Sequence, residues 1–230
     1  MRYPAHIALV AAAALAACGG PEVRPPDDAS PLASVLAEPG AAGAERLRAG
    51  DLAGARSSYE AALSSDPERL GPLNDLAVAY ALDGHGEAAR RLLDEVVSGG
   101  DVRSQQAALV NLGDQHASEG YLSAAQACLE TARSLDPARP EPWYALAALA
   151  DSRGELDAAR TLLREAVRLD EGGTARAALA YVHPEERAHL DALVAELLGD
   201  RAIAAARWRE LSSGRFAALA SAAERHLAGE

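Results

Sequence analysis

Apolar residues recur at helical spacing along most of the chain. Leu73, Leu76 and Ala77 are three and four positions apart, as are Leu109, Leu112 and Gly113, and Trp143, Leu146 and Ala147. That spacing places each trio on one face of an α-helix. The pattern also repeats on a longer period. Gly50, Gly84, Gly120 and Gly154 are separated by 34, 36 and 34 residues. The residues after each glycine keep step: Ala55, Ala89, Ala125 and Ala159 five later, then Tyr59, Leu93, Leu129 and Leu163 nine later. Ala62, Val96, Ala132 and Ala166 follow twelve later. The two-residue excess falls at Ser98-Gly99-Gly100-Asp101, a loop signature, so it lengthens a connection and spares the helices. A fixed period with shared register predicts stacked helix–turn–helix units.

The residue types at these positions resemble the tetratricopeptide repeat. The fourth unit carries Trp143, Leu146, Ala147, Gly154, Leu156, Ala159, Leu163 and Ala166 at the family's signature positions, and Tyr80 does the same in the second unit. Small residues let two antiparallel helices approach, and large ones fill the space that remains. Pro67 and Pro137 stop the second helix of units one and three. The first unit departs most from the pattern, because Pro39 and Gly40 interrupt its first helix and Arg46 replaces an aromatic residue. The resemblance implies an all-α, right-handed solenoid of stacked antiparallel helix pairs. Four units are expected over residues 41–171, the first irregular.

Residues 172–230 continue with helical spacing but without the ladder. Thr174 is a candidate N-cap for a helix over 175–181, and Pro184 with Glu185 and Glu186 reads as a helix start. Leu190, Leu193, Val194 and Leu197 form a stripe, Gly199 ends it, and further stripes run through Ala204, Trp208 and Leu211 and then Phe216, Leu219 and Ala223. An array must cover its last apolar face, so this region is expected to be a degenerate helix pair and a capping helix.

Composition narrows the partners. Alanine supplies roughly a quarter of the chain, and there is one Phe, as suits helices rather than strands. The net charge is −12, with every basic residue an Arg, which argues against nucleic acid as a partner.

The first residues carry an address. Met1 and Arg2 precede an apolar run over 7–17 that is too short to span a bilayer. It ends Leu15-Ala16-Ala17-Cys18, which resembles a bacterial lipobox. The resemblance implies a signal peptide over 1–17 and lipidation of Cys18. Gly19 in place of Asp resembles lipoproteins sorted to the outer membrane. Localisation is therefore expected at the bacterial envelope, anchored by lipid and facing the periplasm. Residues 18–40 include GGPEVRPPDDAS, and the Pro and Gly content predicts a tether. Within it, Leu32, Val35 and Leu36 are apolar enough for residues 28–40 to fold back as a pseudo-ligand. Cys128, alone once Cys18 is acylated, reads as a packing residue.

No catalytic or metal constellation emerges. The histidines lack HExxH or any spacing that gathers three ligands, and no Ser sits in a nucleophile elbow. Neither a cofactor nor a metal is expected, nor enzymatic activity. The concave face remains, and the resemblance points to Asn74 and Val78, to Val110 and Asp114, and to Tyr144, Ala148 and Asp151 as groove residues. They lack the Lys, Asn and Arg set with which some family members clamp a carboxylate. An apolar or basic peptide segment or helix of an envelope protein is the expected partner. The expected function is a membrane-anchored interaction scaffold. A pilotin-like factor for a secretin or type IV pilus is an alternative. Another is a structural subunit that docks through an exposed apolar patch around Trp208 and Phe216.

Overall fold

A computed structural model describes residues 25–229. Among them the chain forms helices α1 (Ala42–Arg48), α2 (Leu52–Ser65), α3 (Gly71–Leu82), α4 (Gly86–Gly99), α5 (Val102–Ser118) and α6 (Leu122–Leu135). These are followed by α7 (Glu141–Ser152), α8 (Leu156–Leu169), the single turn α9 (Thr174–Ala177), α10 (Pro184–Leu197), α11 (Arg201–Ser212) and α12 (Ala217–Ala228). Consecutive helices pair as α1–α2, α3–α4, α5–α6, α7–α8 and α10–α11, and the first helices α3, α5 and α7 also touch one another. The interrupted first unit keeps a helix of only seven residues, α1, which starts after Pro39 and Gly40.

Local chemistry sets the ends of the helices. Carboxylates of Asp51, Asp101 and Asp200 accept the backbone N–H groups of Gly54, Ser104 and Ile203, satisfying donors that a helix start leaves open. Pro72, Pro142 and Pro184 lie in first turns, where no N–H is required. Each turn within a pair uses a glycine at φ near +80°, a conformation other residues avoid. Gly50, Gly84, Gly120 and Gly154 are each followed by a backbone N–H that bonds back five residues, as in His85 to Tyr80 and Tyr121 to His116. Gly199 has φ of 83°, and Asp200 N–H bonds Ala195 in the same way. The α10–α11 pair therefore repeats the turn of the earlier units.

Small residues hold the pairs together. Ala55, Ala89 and Ala125 are fully buried, as are Leu129 and Ala132. A Cβ at Gly113 would lie 2.9 Å from the Leu129 side chain, so α5 and α6 can approach this closely only with glycine there.

Three expectations need correcting. Residues 29–37, assigned to the tether, are not a solvated spacer: Ala29, Leu32, Val35, Leu36 and Ala37 belong to the apolar core. Their aliphatic side chains gain from burial, and an extended backbone is tolerated inside because its polar groups find partners. Second, the helix expected over 175–181 is the single turn α9, and Gly173 in the left-handed conformation precedes it instead of a Thr174 cap. The chain then runs irregularly to α10. Third, Trp208 and Phe216 are 2% and 3% exposed and form no docking surface themselves; the exposed large apolar side chains of this region are Leu198, Ile203 and Leu227. Trp208 packs against His189 and stacks on His226, which places it inside the cap.

Candidate functional site

The first helices α3, α5 and α7 line a concave groove, and residues 29–38 lie in it as an extended strand. Polar side chains from α3 and α5 meet the strand's backbone. Asn111 receives the Val35 N–H on Oδ1 at 2.7 Å and returns a bond from Nδ2 to the Val35 carbonyl at 2.9 Å. Asn74 donates to the same carbonyl at 2.9 Å, and its own Oδ1 accepts from Asn111. Asp75 accepts the N–H groups of Ala37 at 2.6 Å and Glu38 at 3.1 Å. Asp114 accepts Leu32 N–H at 2.8 Å and the Ser34 hydroxyl at 3.2 Å. On the other edge, Ser34 and Ala180 exchange two backbone bonds of 2.8 and 3.0 Å as an isolated antiparallel bridge. The strand is thus held by the repeats on one side and by the connection before α10 on the other.

Burial shapes the electrostatics. Loss of water raises Asp75 and Asp114 to about 6, even though the hydrogen bonds from Asn74 and the strand pull the other way. Glu186, on α10, is pushed well above the usual carboxylate range by burial and by the nearby Asp114. It accepts the N–H groups of Val182 and His183 and so fixes the start of α10.

The residues predicted for the groove have two different fates. Asn74 and Asp114 hold the strand directly. Val78 and Val110 are buried in the apolar floor at 2% and 1% exposure. Tyr144 and Ala148 line a small pocket with Leu32, Glu186, His189 and Leu190, and the Tyr144 hydroxyl donates to Asp170 at 3.2 Å. Asp151 does not meet the strand. One of its carboxylate oxygens lies 2.8 Å from His189 Nε2 and the other 2.8 Å from His226 Nε2. His226 in turn reaches Glu196 through Nδ1 at 2.8 Å, and Arg225 donates to the Asp151 carbonyl. The reason is positional: α10 and α12 pack on the end of α7 and cover Asp151 before any ligand could.

Within this cluster, burial alone would lower His226, but its hydrogen bonds to Asp151 and Glu196 and their charge raise it to about 9. Burial would likewise raise Asp151, yet the two imidazoles hold it well below the usual range. The arrangement is an ionic bolt between the fourth unit and the cap. Among the described residues, no three His, Cys, Asp or Glu side chains gather as metal ligands would. No helix among them is long and apolar enough to cross a membrane. Cys18 lies outside the described residues.

Asp75 and Asn111 are the groove residues that sequence reasoning passed over. They occupy equivalent positions, one after Asn74 and one after Val110, each flanked by apolar residues in the runs Leu76-Ala77-Val78 and Ala107-Ala108-Leu109-Val110. A polar residue within a buried apolar run requires a partner inside the protein, and that was the available signal.

Two family models agree with the repeat pattern of the helices. A tetratricopeptide-repeat model matches residues 46–112, and a second model of the same repeat matches residues 140–172. Among solved structures, the crystal structure of MamA is similar at 22% identity and a TM-score of 0.44, over 81% of this chain and 97% of that one. No curated protein matches the chain. The chain carries tetratricopeptide repeats, stacked as an all-α solenoid.

Proposed function

We propose that this chain is a nonenzymatic protein–protein interaction scaffold of the bacterial envelope, anchored by lipid at Cys18, whose groove recognises an extended segment of a partner. One observation carries the reading of the groove: Asn74, Asp75, Asn111 and Asp114 hold an extended backbone through its N–H and C=O groups. Repeats of this kind suggest protein partners. The anchor rests on the order Leu15-Ala16-Ala17-Cys18 after a short apolar run, and the outer membrane on Gly19.

The test is a cross-linking pull-down from native membranes with wild type beside an Asn74→Ala/Asn111→Ala variant, each checked for helix content. Capture of one envelope protein by the wild type and its loss in the folded variant supports the groove. Equal capture moves the partner to another surface. Incorporation of labelled palmitate that disappears in Cys18→Ser tests the anchor, and labelling that persists in Cys18→Ser removes it.

A further inference from the structure

The occupant of the groove is part of the chain itself, and its contacts are of a kind another chain could supply. Six side-chain bonds reach five of its main-chain groups: the N–H groups of Leu32, Val35, Ala37 and Glu38 and, twice, the carbonyl of Val35. Any extended peptide carries the same groups. Side chains add shape: Leu32, Val35 and Leu36 are 1–4% exposed. No residue from Ala29 to Ala37 bears a charge, and the first charged residue after them, Glu38, pairs outward with Arg69 at 2.8 Å.

The groove has no use for a basic side chain either. Both oxygens of Asp75, of Asp114 and of Glu186 already accept hydrogen bonds. The acceptors of Asp75 and Asp114 face main-chain N–H groups and one hydroxyl of the strand, donors that an uncharged segment taking its place would supply again.

The strand joins α1 through Pro39, Gly40 and Ala41. Gly40 is exposed, and a Cβ there would meet nothing within 4 Å. Two bonds cross this joint, from Ala41 N–H to the Glu38 carbonyl and from Arg48 to the Pro39 carbonyl, and both lie outside the groove.

We infer that residues 29–38 are a built-in competitor for the groove, and that a partner enters it only as an uncharged, extended aliphatic segment that takes over the same backbone contacts. The inference rests on the groove reading above and specifies both the partner's chemistry and its control. Covalent attachment gives the strand an effective concentration of about millimolar. A free segment of equal intrinsic affinity, present at micromolar concentration, is then outcompeted by roughly a hundredfold to a thousandfold.

The test keeps the full chain, in detergent, with a site-specific protease sequence inserted after Gly40. The probe is a fluorescein-labelled peptide of residues 28–39, read by anisotropy before and after cleavage, with circular dichroism as the check on folding. Intact chain should take up no probe, and nicked chain should take it up with affinity raised by about a hundredfold. The same peptide carrying Val35→Asp should not bind nicked chain. Equal uptake by intact and nicked chain overturns the competitor. So does a nicked chain that keeps its helices but exchanges nothing, because the strand is then an irreplaceable part of the core. Loss of helix on nicking overturns it too, as would binding of the Val35→Asp peptide. Probe exchange without a groove-dependent partner in the membrane pull-down would leave the competitor and remove the scaffold. Groove-dependent capture without exchange would do the reverse.

Discussion

Buried polar residues on the first helices have different fates in the two halves of the solenoid, and Asn74 and Tyr144, which share a repeat position, fall on opposite sides of the division. On α3 and α5, the polar residues Asn74, Asp75, Asn111 and Asp114 turn to the backbone of residues 32–38. On α7 the corresponding surface turns to the cap: Tyr144 bonds Asp170, and Asp151 bonds His189 and His226. Both halves bury polar side chains completely. They differ in what satisfies them. In the first half the partner is main chain, neutral and exchangeable in kind. In the second it is a pair of imidazoles from fixed helices. Repeat position alone therefore does not define a ligand face, because whatever packs nearest claims the polar groups first.

If the second half is an ionic bolt, Asp151→Ala should have the largest effect, a loss of about 3–5 kcal/mol, because it leaves His226 buried without one of its two counter-charges. Hydrogen exchange would show the loss concentrated in α10–α12, and uniform loss across α3–α6 would refute the separation of the two halves. Truncating the strand at Leu32→Ala should cost about 2–4 kcal/mol, read by urea denaturation, since the side chain is 1% exposed. A cost below half a kilocalorie would mean that the strand adds nothing to the core. Asn111→Ala should cost about 1–3 kcal/mol by leaving the Val35 N–H without its acceptor. That variant should speed amide exchange at Val35 while sparing the cap.

The two halves should also respond to pH through different groups. His226 is raised in the folded state to about 9, so its stabilising contribution is fully present below its ordinary value near 6.5 and is lost as pH rises through 9. Asp75 and Asp114 are raised to about 6, so the stability they contribute falls as pH climbs from about 4 to 6. Urea midpoints should decline between pH 6.5 and 9.5 in wild type, and His226→Gln should flatten that decline. An equal decline in the variant would rule the bolt out as its source. The smallest effect belongs to the surface: Arg153→Ala removes a partly exposed pair with Glu155 and should change stability by less than about 1 kcal/mol. A larger loss there would shift weight from the interior to the outer helices.

Much of the fold was legible because it is local. The glycine turns and the small residues at Ala55, Ala89, Ala125 and Ala159 each act within one helix pair, so their spacing in the chain is their spacing in space. The last pair kept the glycine turn at Gly199 while losing the rest of the ladder, since a terminal pair has only one neighbour to match. The site was legible only in part. Asn74 and Asp114 stand out as polar residues on the expected concave face, but Asp75 and Asn111 lie one position off that face in the repeat pattern. The strand carried two conflicting signals: Pro25, Pro26 and Pro39 suggest a spacer, while Leu32, Val35 and Leu36 between them mark a segment able to fold back, and these are what the groove buries.

By itself the sequence determined the helix pairs, their register and their glycine turns, because hydrogen bonding within a helix and packing between neighbours in the chain depend on residues a few positions apart. Only the tertiary structure decided which buried polar groups serve a strand and which serve the cap. Asp114 meets Leu32 across 82 positions, and Asp151 meets His226 across 75. No local pattern encodes such distances. The choice follows from the need of every buried carboxylate and amide to find the nearest compatible partner once the solenoid has closed around residues 29–38.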